Sequence, residues 1–254
     1  MKAILIAAGM GTRLRPLTDD VPKCLAVTDG RKTLFDTQID SFHKCGLRDV
    51  VVIRGYQGAR FTRSDVRYVW NHDFEKNNIL GSLLKASDEF DDELLVSYSD
   101  IWFEEKIPKQ LIQSDGDIVI AIDPEWQKTY VDRSDHPLSE AEVVELDSEG
   151  CVKTIGKVAG NLESFHAEFI GMLKLSRAGA ELFKSAYADA QQEFSGRPFQ
   201  RAAVFEKAYI TDMIQYLVQK GVEIRCHAIT GQWREIDTVQ DCSSLMALWK
   251  TLNT

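Results

Sequence analysis

Cysteine and histidine pairs are what this 254-residue chain lacks first. Its five cysteines (Cys24, Cys45, Cys151, Cys226, Cys242) contain no C-x-x-C and its five histidines no H-x-x-x-H. That spacing argues against a zinc site or a disulfide framework, and Cys24, beside Lys23, reads as a small packed thiol. No segment reaches the roughly 18 uninterrupted apolar residues of a membrane span, and the N-terminal residues show no signal-peptide pattern. A cytoplasmic protein with no membrane partner is expected. Positive charge is scarce: 30 Lys and Arg against 39 Asp and Glu leave a net charge of −9. A polyanion binder needs a basic face, so nucleic acid is not an expected partner. An anionic ligand must be met by local cations and a metal.

Against these absences stands the opening run. Residues 2–7 read KAILIA, a nearly continuous apolar stretch that predicts a strand buried on both faces, as in a parallel sheet. The chain then turns at Ala8-Gly9-Met10-Gly11, where glycine permits positive φ and close approach of a ligand to backbone N–H groups. Arg13 and Lys23 add a planar fork and a mobile point charge, a pair suited to phosphate oxygens. The segment is not a G-x-G-x-x-G fingerprint, because Leu14 stands where the third glycine belongs, and it is not a Walker A loop, because no G-K-[ST] follows.

Beyond this loop, strand and helix patterns alternate without a linker, repeat or low-complexity stretch. Strands are predicted at 50–53, 66–70, 94–98, 118–122, 169–173, 222–228 and 233–236. Helices are predicted at 34–45, 79–86, 178–191, 202–219 and after Asp237. Residues 142–146 and 151–155 read as a hairpin turning at Asp147-Ser148-Glu149-Gly150. The expectation is a single three-layer α/β domain over residues 1–254 with the hairpin as a small substrate-covering subregion, and 44% apolar residues suffice for its core. In open α/β sheets ligands lie beyond the carboxyl ends of the strands. Asp100 and Asp237 both follow strands there. Two Asp converging from different strands would supply a Mg²⁺ site, although an Asp before a helix also fits an N-cap.

The string LIAAGMGTRLRPLT…PKCLAV resembles the signature of the nucleotidyltransferase superfamily that couples an NTP to a phosphorylated small molecule. With Asn71, Asn77-Asn78, Ser82-Leu83, Ser99-Asp100 and Glu235-Ile236-Asp237-Thr238-Val239-Gln240-Asp241 added, the chain looks most like the bacterial choline-phosphate and phosphonate cytidylyltransferases. The resemblance implies a three-layer α/β/α, Rossmann-like, mostly parallel sheet of the nucleotide-diphospho-sugar transferase type. It implies CTP as nucleotide, contacted by Ala7, Ala8, Gly9, Gly11, Thr12, Asn78 and Ser82, with Arg13 and Lys23 as the catalytic cations. It also implies Mg²⁺ held by Asp100 and Asp237, and CMP transfer to a phosphate or phosphonate oxygen with release of pyrophosphate. Such a nucleophile is already an anion, which accounts for the lack of a Ser–His set.

The acceptor is written less plainly. The family's sugar-using members often carry Glu-Lys-Pro, and here only Lys157 in Ile155-Gly156-Lys157 is available for an acceptor phosphate. A cationic head group such as choline or aminoethyl would want an aromatic face and a carboxylate, and the candidates are Trp102, Trp126, Tyr130, Tyr209 and Trp233 with Glu168 and Asp212. The stretch 126–136 gathers Lys128, Arg133 and His136, and reads either as a solvated loop or as a lid whose cations meet the acceptor. Departure from the choline-type pattern there favours a phosphonate, such as 2-aminoethylphosphonate or 2-hydroxyethylphosphonate, or another phosphorylated small metabolite over phosphocholine. A sugar-1-phosphate nucleotidyltransferase and a silent nucleotide-binding regulatory paralogue remain as alternatives, and homo-oligomerisation is left open.

Overall fold

The computed structural model describes residues 1–157, 164–230 and 232–252. Its strands are β1 (Lys2–Ala7), β2 (Val50–Arg54), β3 (Arg67–Trp70), β4 (Leu94–Tyr98), β5 (Ile101–Phe103), β6 (Ile118–Asp123), β7 (Glu142–Leu146), β8 (Val152–Lys157), β9 (Ala167–Leu175), β10 (Arg225–Ala228) and β11 (Trp233–Glu235). The helices are α1 (Lys23–Ala26), α2 (Leu34–Lys44), α3 (Ile79–Leu83), α4 (Lys106–Ile112), α5 (Arg177–Phe194), α6 (Ile210–Gln219) and α7 (Val239–Leu252).

The main sheet follows the order β10-β6-β9-β4-β1-β2-β3, and every strand of that path except β9 runs in one direction. The run of apolar residues in β1 has its cause here: paired to β2 and β4 on its two edges and covered on both faces, it exposes none of Ala3, Ile4 or Leu5. The register sets Ile6 opposite both Ile53 and Tyr98, so the loops after β1 and β4 leave the sheet side by side. On α2, Leu34, Phe35, Ile39 and Phe42 form the buried stripe, and Thr33 with Asp36 closes a capping box at its start.

The hairpin β7–β8 is present, with Asp147 accepting from the Glu149 and Cys151 N–H groups in its turn. It is joined to the main sheet through β9, and its register pairs Glu142 with Lys157 at the open end. The helix predicted at 202–219 begins only at Ile210. Asp212 accepts from the Tyr209 N–H and starts α6 there, while the Asn78 and Leu80 N–H groups donate to the Glu206 and Ala208 carbonyls and hold the preceding segment as loop. A small antiparallel sheet, β5–β11, stands apart over a satellite core of Leu14, Val27, Leu34, Trp102, Ile236, Cys242, Leu245 and Trp249. Among the described residues no helix is long and apolar enough to cross a membrane.

Candidate active site

A cavity of about 450 Å³ opens at the carboxyl ends of β1 and β4, within the size range of small-ligand sites. Its floor is the glycine loop, where Ala7, Ala8, Gly9, Gly11, Thr12 and Arg13 all contribute. Only one of the two glycines uses positive φ. Gly11 sits at φ +59°, and a Cβ there would stand 3.0 Å from the Cβ of Lys23, whereas a Cβ on Gly9 would meet no protein atom within 4 Å. Gly11 thus lets α1 approach the loop, and Gly9 leaves the cavity wall open.

Lys23 is the first residue of α1, after Pro22 at the cap position. Its ammonium donates to Asp100 Oδ2 at 2.8 Å and Asp237 Oδ1 at 2.6 Å, and Arg13 donates to Asp237 Oδ2 at 2.7 Å. The β5–β11 register brings these aspartates together: Ile101 faces Glu235, and the Ile236 N–H donates to the Asp100 carbonyl at 2.8 Å. Burial alone would lower the Lys23 pKa, but the two carboxylates outweigh it and raise it, so the ammonium stays charged. Burial likewise pushes Asp237 up, and Lys23 and Arg13 more than reverse this, holding its carboxyl well below the usual range. Asp100 Oδ1 is buried with no hydrogen-bond partner. Two carboxylates with an orphaned oxygen form an all-oxygen donor set that fits Mg²⁺.

Asn78 and Ser82 line the same cavity from α3. Asn78 also caps that helix through the Ile79 N–H, and Ser82 accepts from Asn71 Nδ2 at 2.9 Å. The opposite end is acidic and aromatic. Glu168 on β9 is 3% exposed, accepts from the Tyr130 hydroxyl at 2.6 Å through Oε1, and keeps Oε2 buried without a partner. Burial pushes its pKa up to about 8. Glu142 accepts from Thr211 and Tyr98 hydroxyls, and burial pushes it up to about 7. The Tyr98 ring lies over Gly171 at φ +81°, where a Cβ would stand 2.7 Å from the ring. Lys157 pairs with Glu140 at 2.7 Å and stands 4.6 Å from the centre of the Tyr209 ring.

Of the residues expected at the acceptor, Lys157, Glu168, Tyr209 and Trp233 border this cavity, while Trp126, Tyr130, Arg133 and Asp212 stand outside its wall. The side chains of 126–136, a stretch read as either a solvated loop or a lid, are engaged outside this cavity. Trp126 and Tyr130 pack with Ala141 and Val143 in a separate apolar cluster, because a Trp or Tyr ring has far more apolar area to hide than a loop can leave in water. Tyr130 reaches the site only through its hydroxyl on Glu168. Arg133 binds Asp241 and Glu235, Lys128 pairs with Glu125 in solvent, and His136 is buried beside Asp237 and Glu235. Burial and the neighbouring Arg133 lower His136 to about 4, so its ring is neutral near pH 7. Asp212 is occupied by the Tyr209 and Arg201 N–H groups as a helix cap, and Trp102 lies in the satellite core. Glu142 was missed in the sequence. Its signal was an acidic residue on the same strand face as Val144 and Leu146.

The family model for the MobA-like NTP transferase domain matches residues 3–167. The chain belongs to that family. Among relatives of this NTP transferase, the CTP:phosphoglutamine cytidylyltransferase of Campylobacter jejuni is 28% identical over 252 residues, covering 95% of this chain and 97% of that one. The choline-phosphate cytidylyltransferase of Streptococcus pneumoniae is 33% identical over 118 residues, 45% of this chain and 51% of the relative. In structure, the CTP:phosphocholine cytidylyltransferase from Streptococcus pneumoniae superposes with a TM-score of 0.74 at 22% identity over 98% of both chains. A UDP-glucose pyrophosphorylase complexed with UDP-glucose reaches 0.76 at 15% identity over 98% of both. These two likenesses establish the nucleotide-diphospho-sugar transferase fold expected from the sequence.

Proposed function

We propose that this NTP transferase is a cytidylyltransferase that transfers CMP from CTP to a small phosphorylated or phosphonate acceptor carrying an amino group. The observation that carries the acceptor class is Glu168: a carboxylate oxygen on the cavity wall, buried and unpaired, is expensive unless a cationic group completes it. Tyr98, Tyr209 and Trp233 on the same wall supply the aromatic faces such a group prefers. Phosphoglutamine, choline phosphate and 2-aminoethylphosphonate, named for three relatives, all carry a cationic nitrogen, and cytidine is the nucleoside common to those three names.

The reaction is an in-line displacement. An acceptor oxygen forms a bond to the α-phosphorus of CTP, the bond from that phosphorus to the bridging oxygen breaks, and its electron pair leaves with pyrophosphate. No proton needs to move. Lys23 bears on the α-phosphate and Arg13 on the departing pyrophosphate, each exchanging an aspartate partner for phosphate oxygens. Arg13 can do so readily because its side chain is 49% exposed. Asp100 and Asp237 would hold Mg²⁺, which when bound supplies neutralisation of phosphate charge. Alignment and preorganised charge then account for the rate.

The test is a pyrophosphate-release assay with four NTPs against phosphoglutamine, 2-aminoethylphosphonate, phosphocholine, 2-hydroxyethylphosphonate and hexose 1-phosphates. Turnover is expected with CTP and an aminated acceptor, and kcat/KM for that acceptor should rise with pH through about 8 as Glu168 ionises. Glu168→Gln should raise the acceptor KM about tenfold or more, the loss of a charge-assisted contact of about 1.5–3 kcal/mol, with the KM for CTP little changed. Turnover confined to hexose phosphates would overturn the proposal.

A further inference from the structure

Among the described residues four arginines are half-buried, and three of them have an evident partner. Arg63 binds Asp65 and Asp40, Arg133 binds Asp241, and Arg54 lies between the rings of Tyr68 and Trp70, 4.5 and 4.3 Å from their centres. Arg234, in the middle of β11, has neither a carboxylate nor a ring. The one hydrogen bond of its side chain among the described residues runs from Nη1 to the Trp233 carbonyl at 2.6 Å. Burial lowers its pKa; Asp123 opposes this, Arg133 reinforces it, and the net direction is down. Asp123 itself is engaged elsewhere, accepting from Trp233 Nε1 and the Glu125 N–H at 2.8 Å each.

A second cavity, of about 250 Å³, opens beside Arg234 between β11, α7 and the connection from β6 to β7. It is separate from the active-site cavity, although Trp233 and Glu235 border both. Its other cations already have partners: Arg133 in Asp241 and Glu235, and Lys128 in Glu125. Asp132, the carboxylate of this cleft that forms no ion pair among the described residues, is exposed, so water satisfies it. The space lies below the range of nucleotide-sized sites, yet it has room for a small ion. A guanidinium with Nε and Nη2 unengaged presents two parallel donors, the match for two oxygens of a phosphate or a carboxylate. Withdrawn from water, such a charge is costly until an anion completes it.

We propose that the cleft beside Arg234 is a second anion site, which takes a small oxyanion, phosphate or carboxylate, in a bidentate contact with the guanidinium. The size of the space excludes a nucleotide, and the site depends on neither the acceptor nor the metal of the proposed function. Arg234 stands between Trp233 and Glu235, so an oxyanion held there braces the strand that carries both residues to the active-site wall.

The experiment is titration of the nucleotide-free protein, in EDTA, with inorganic phosphate and separately with succinate. It is followed by calorimetry and by the Arg234 Nε–Hε magnetic resonance signal, which Arg234→Gln identifies by its loss. The signal should shift saturably in wild type and, with the same Kd, in Arg13→Gln, because Arg13 serves the other cavity. Saturation by either ion supports the proposal, and the arm that saturates says whether phosphate or carboxylate is the ligand class. In the Arg13→Gln background, adding Arg234→Gln should weaken calorimetric binding about tenfold or more, the loss of a charge-assisted pair. Arg234→Lys should recover only part of it, since an ammonium lacks the fork, and it keeps the test open if the glutamine variant does not fold. A signal unmoved by both ions would overturn the proposal, as would a Kd indifferent to Arg234→Gln. A shift abolished by Arg13→Gln would also overturn it and would place the anion in the active-site cavity.

Discussion

Lys23 serves two masters. Its ammonium lies between Asp100 and Asp237, with the three side chains 14%, 25% and 7% exposed, and in the proposed reaction it also meets the α-phosphate. Lys23→Ala therefore removes both the cation proposed to act on the α-phosphate and the charge that offsets the repulsion between two neighbouring carboxylates. Turnover should fall about a hundredfold or more, in line with the loss of one preorganised electrostatic contact of about 3 kcal/mol. Without metal the variant should also be less stable by a few kcal/mol, roughly the cost of breaking a buried ion pair. Thermal melts with EDTA and with MgCl₂ check this: Mg²⁺ should restore stability to the variant more than to the wild type. Equal melts in both conditions would mean that the two aspartates do not need a cation. Asp237 read as either a metal ligand or a helix cap from sequence. The capping contacts at the start of α7 are made by Asp241, which accepts from the Asp237 and Thr238 N–H groups at 2.9 and 2.8 Å, so Asp237 is left free for charge chemistry.

Among the elements, the small β5–β11 sheet and α7 set the site's geometry, and Arg133 ties the 124–141 connection to them. It holds Asp241 through Nε at 2.7 Å and Nη2 at 3.0 Å, and reaches Glu235 Oε2 at 3.3 Å. Arg133→Ala leaves the buried Asp241 carboxylate with its backbone N–H and Thr238 hydroxyl partners but no counter-charge, which should cost about 3 kcal/mol, and should speed amide exchange and proteolysis over residues 126–140. If Arg133 instead contacts the acceptor, the variant will show a raised acceptor KM with unchanged stability. β7 shows the limit of pattern reading at this scale. The hairpin reading left Glu142 on the strand face of Val144 and Leu146 without a reason for its burial; the hydroxyls that explain it, Thr211 on α6 and Tyr98 on β4, lie on elements distant in the chain.

For the molecule as a whole, the buried carboxylates predict how stability varies with pH. Glu142 and Glu168 have folded pKa values near 7 and 8 against 4.5 for the unfolded chain. The folded state therefore binds their protons more tightly, and the stability they confer is full below about pH 4.5 and lost as pH rises through 7 and 8. Asp237 has the opposite sign: its pKa is depressed, so its contribution is present above the unfolded value of 3.8 and lost as pH falls. Melting temperature should peak in mildly acidic buffer and decline toward pH 9. Glu142→Gln should gain stability on wild type at pH 8–9, by about 3 kcal/mol for a shift of that size, with the gain vanishing below about pH 5. A gain that persists at pH 4 would show that packing rather than ionisation is responsible.

The sequence alone determined the parts whose function depends on near neighbours in the chain. These are the buried β1, the Ala8–Gly11 turn, the cations Arg13 and Lys23, the hairpin at 142–155, and the placing of Asp100 and Asp237 at strand ends. Each rests on local rules of periodicity, turn chemistry and charge spacing. The tertiary structure decided what depends on register and burial between distant segments. The β5–β11 pairing brought Asp100 and Asp237 to one lysine, and the antiparallel β9 put Glu168 on the cavity wall. Packing kept Trp126, Tyr130 and Arg133 off the cavity wall and left His136 against the carboxylates. Those outcomes were not legible because burial decides whether a polar side chain pairs with protein or is left for a ligand, and burial is a property of the assembled fold.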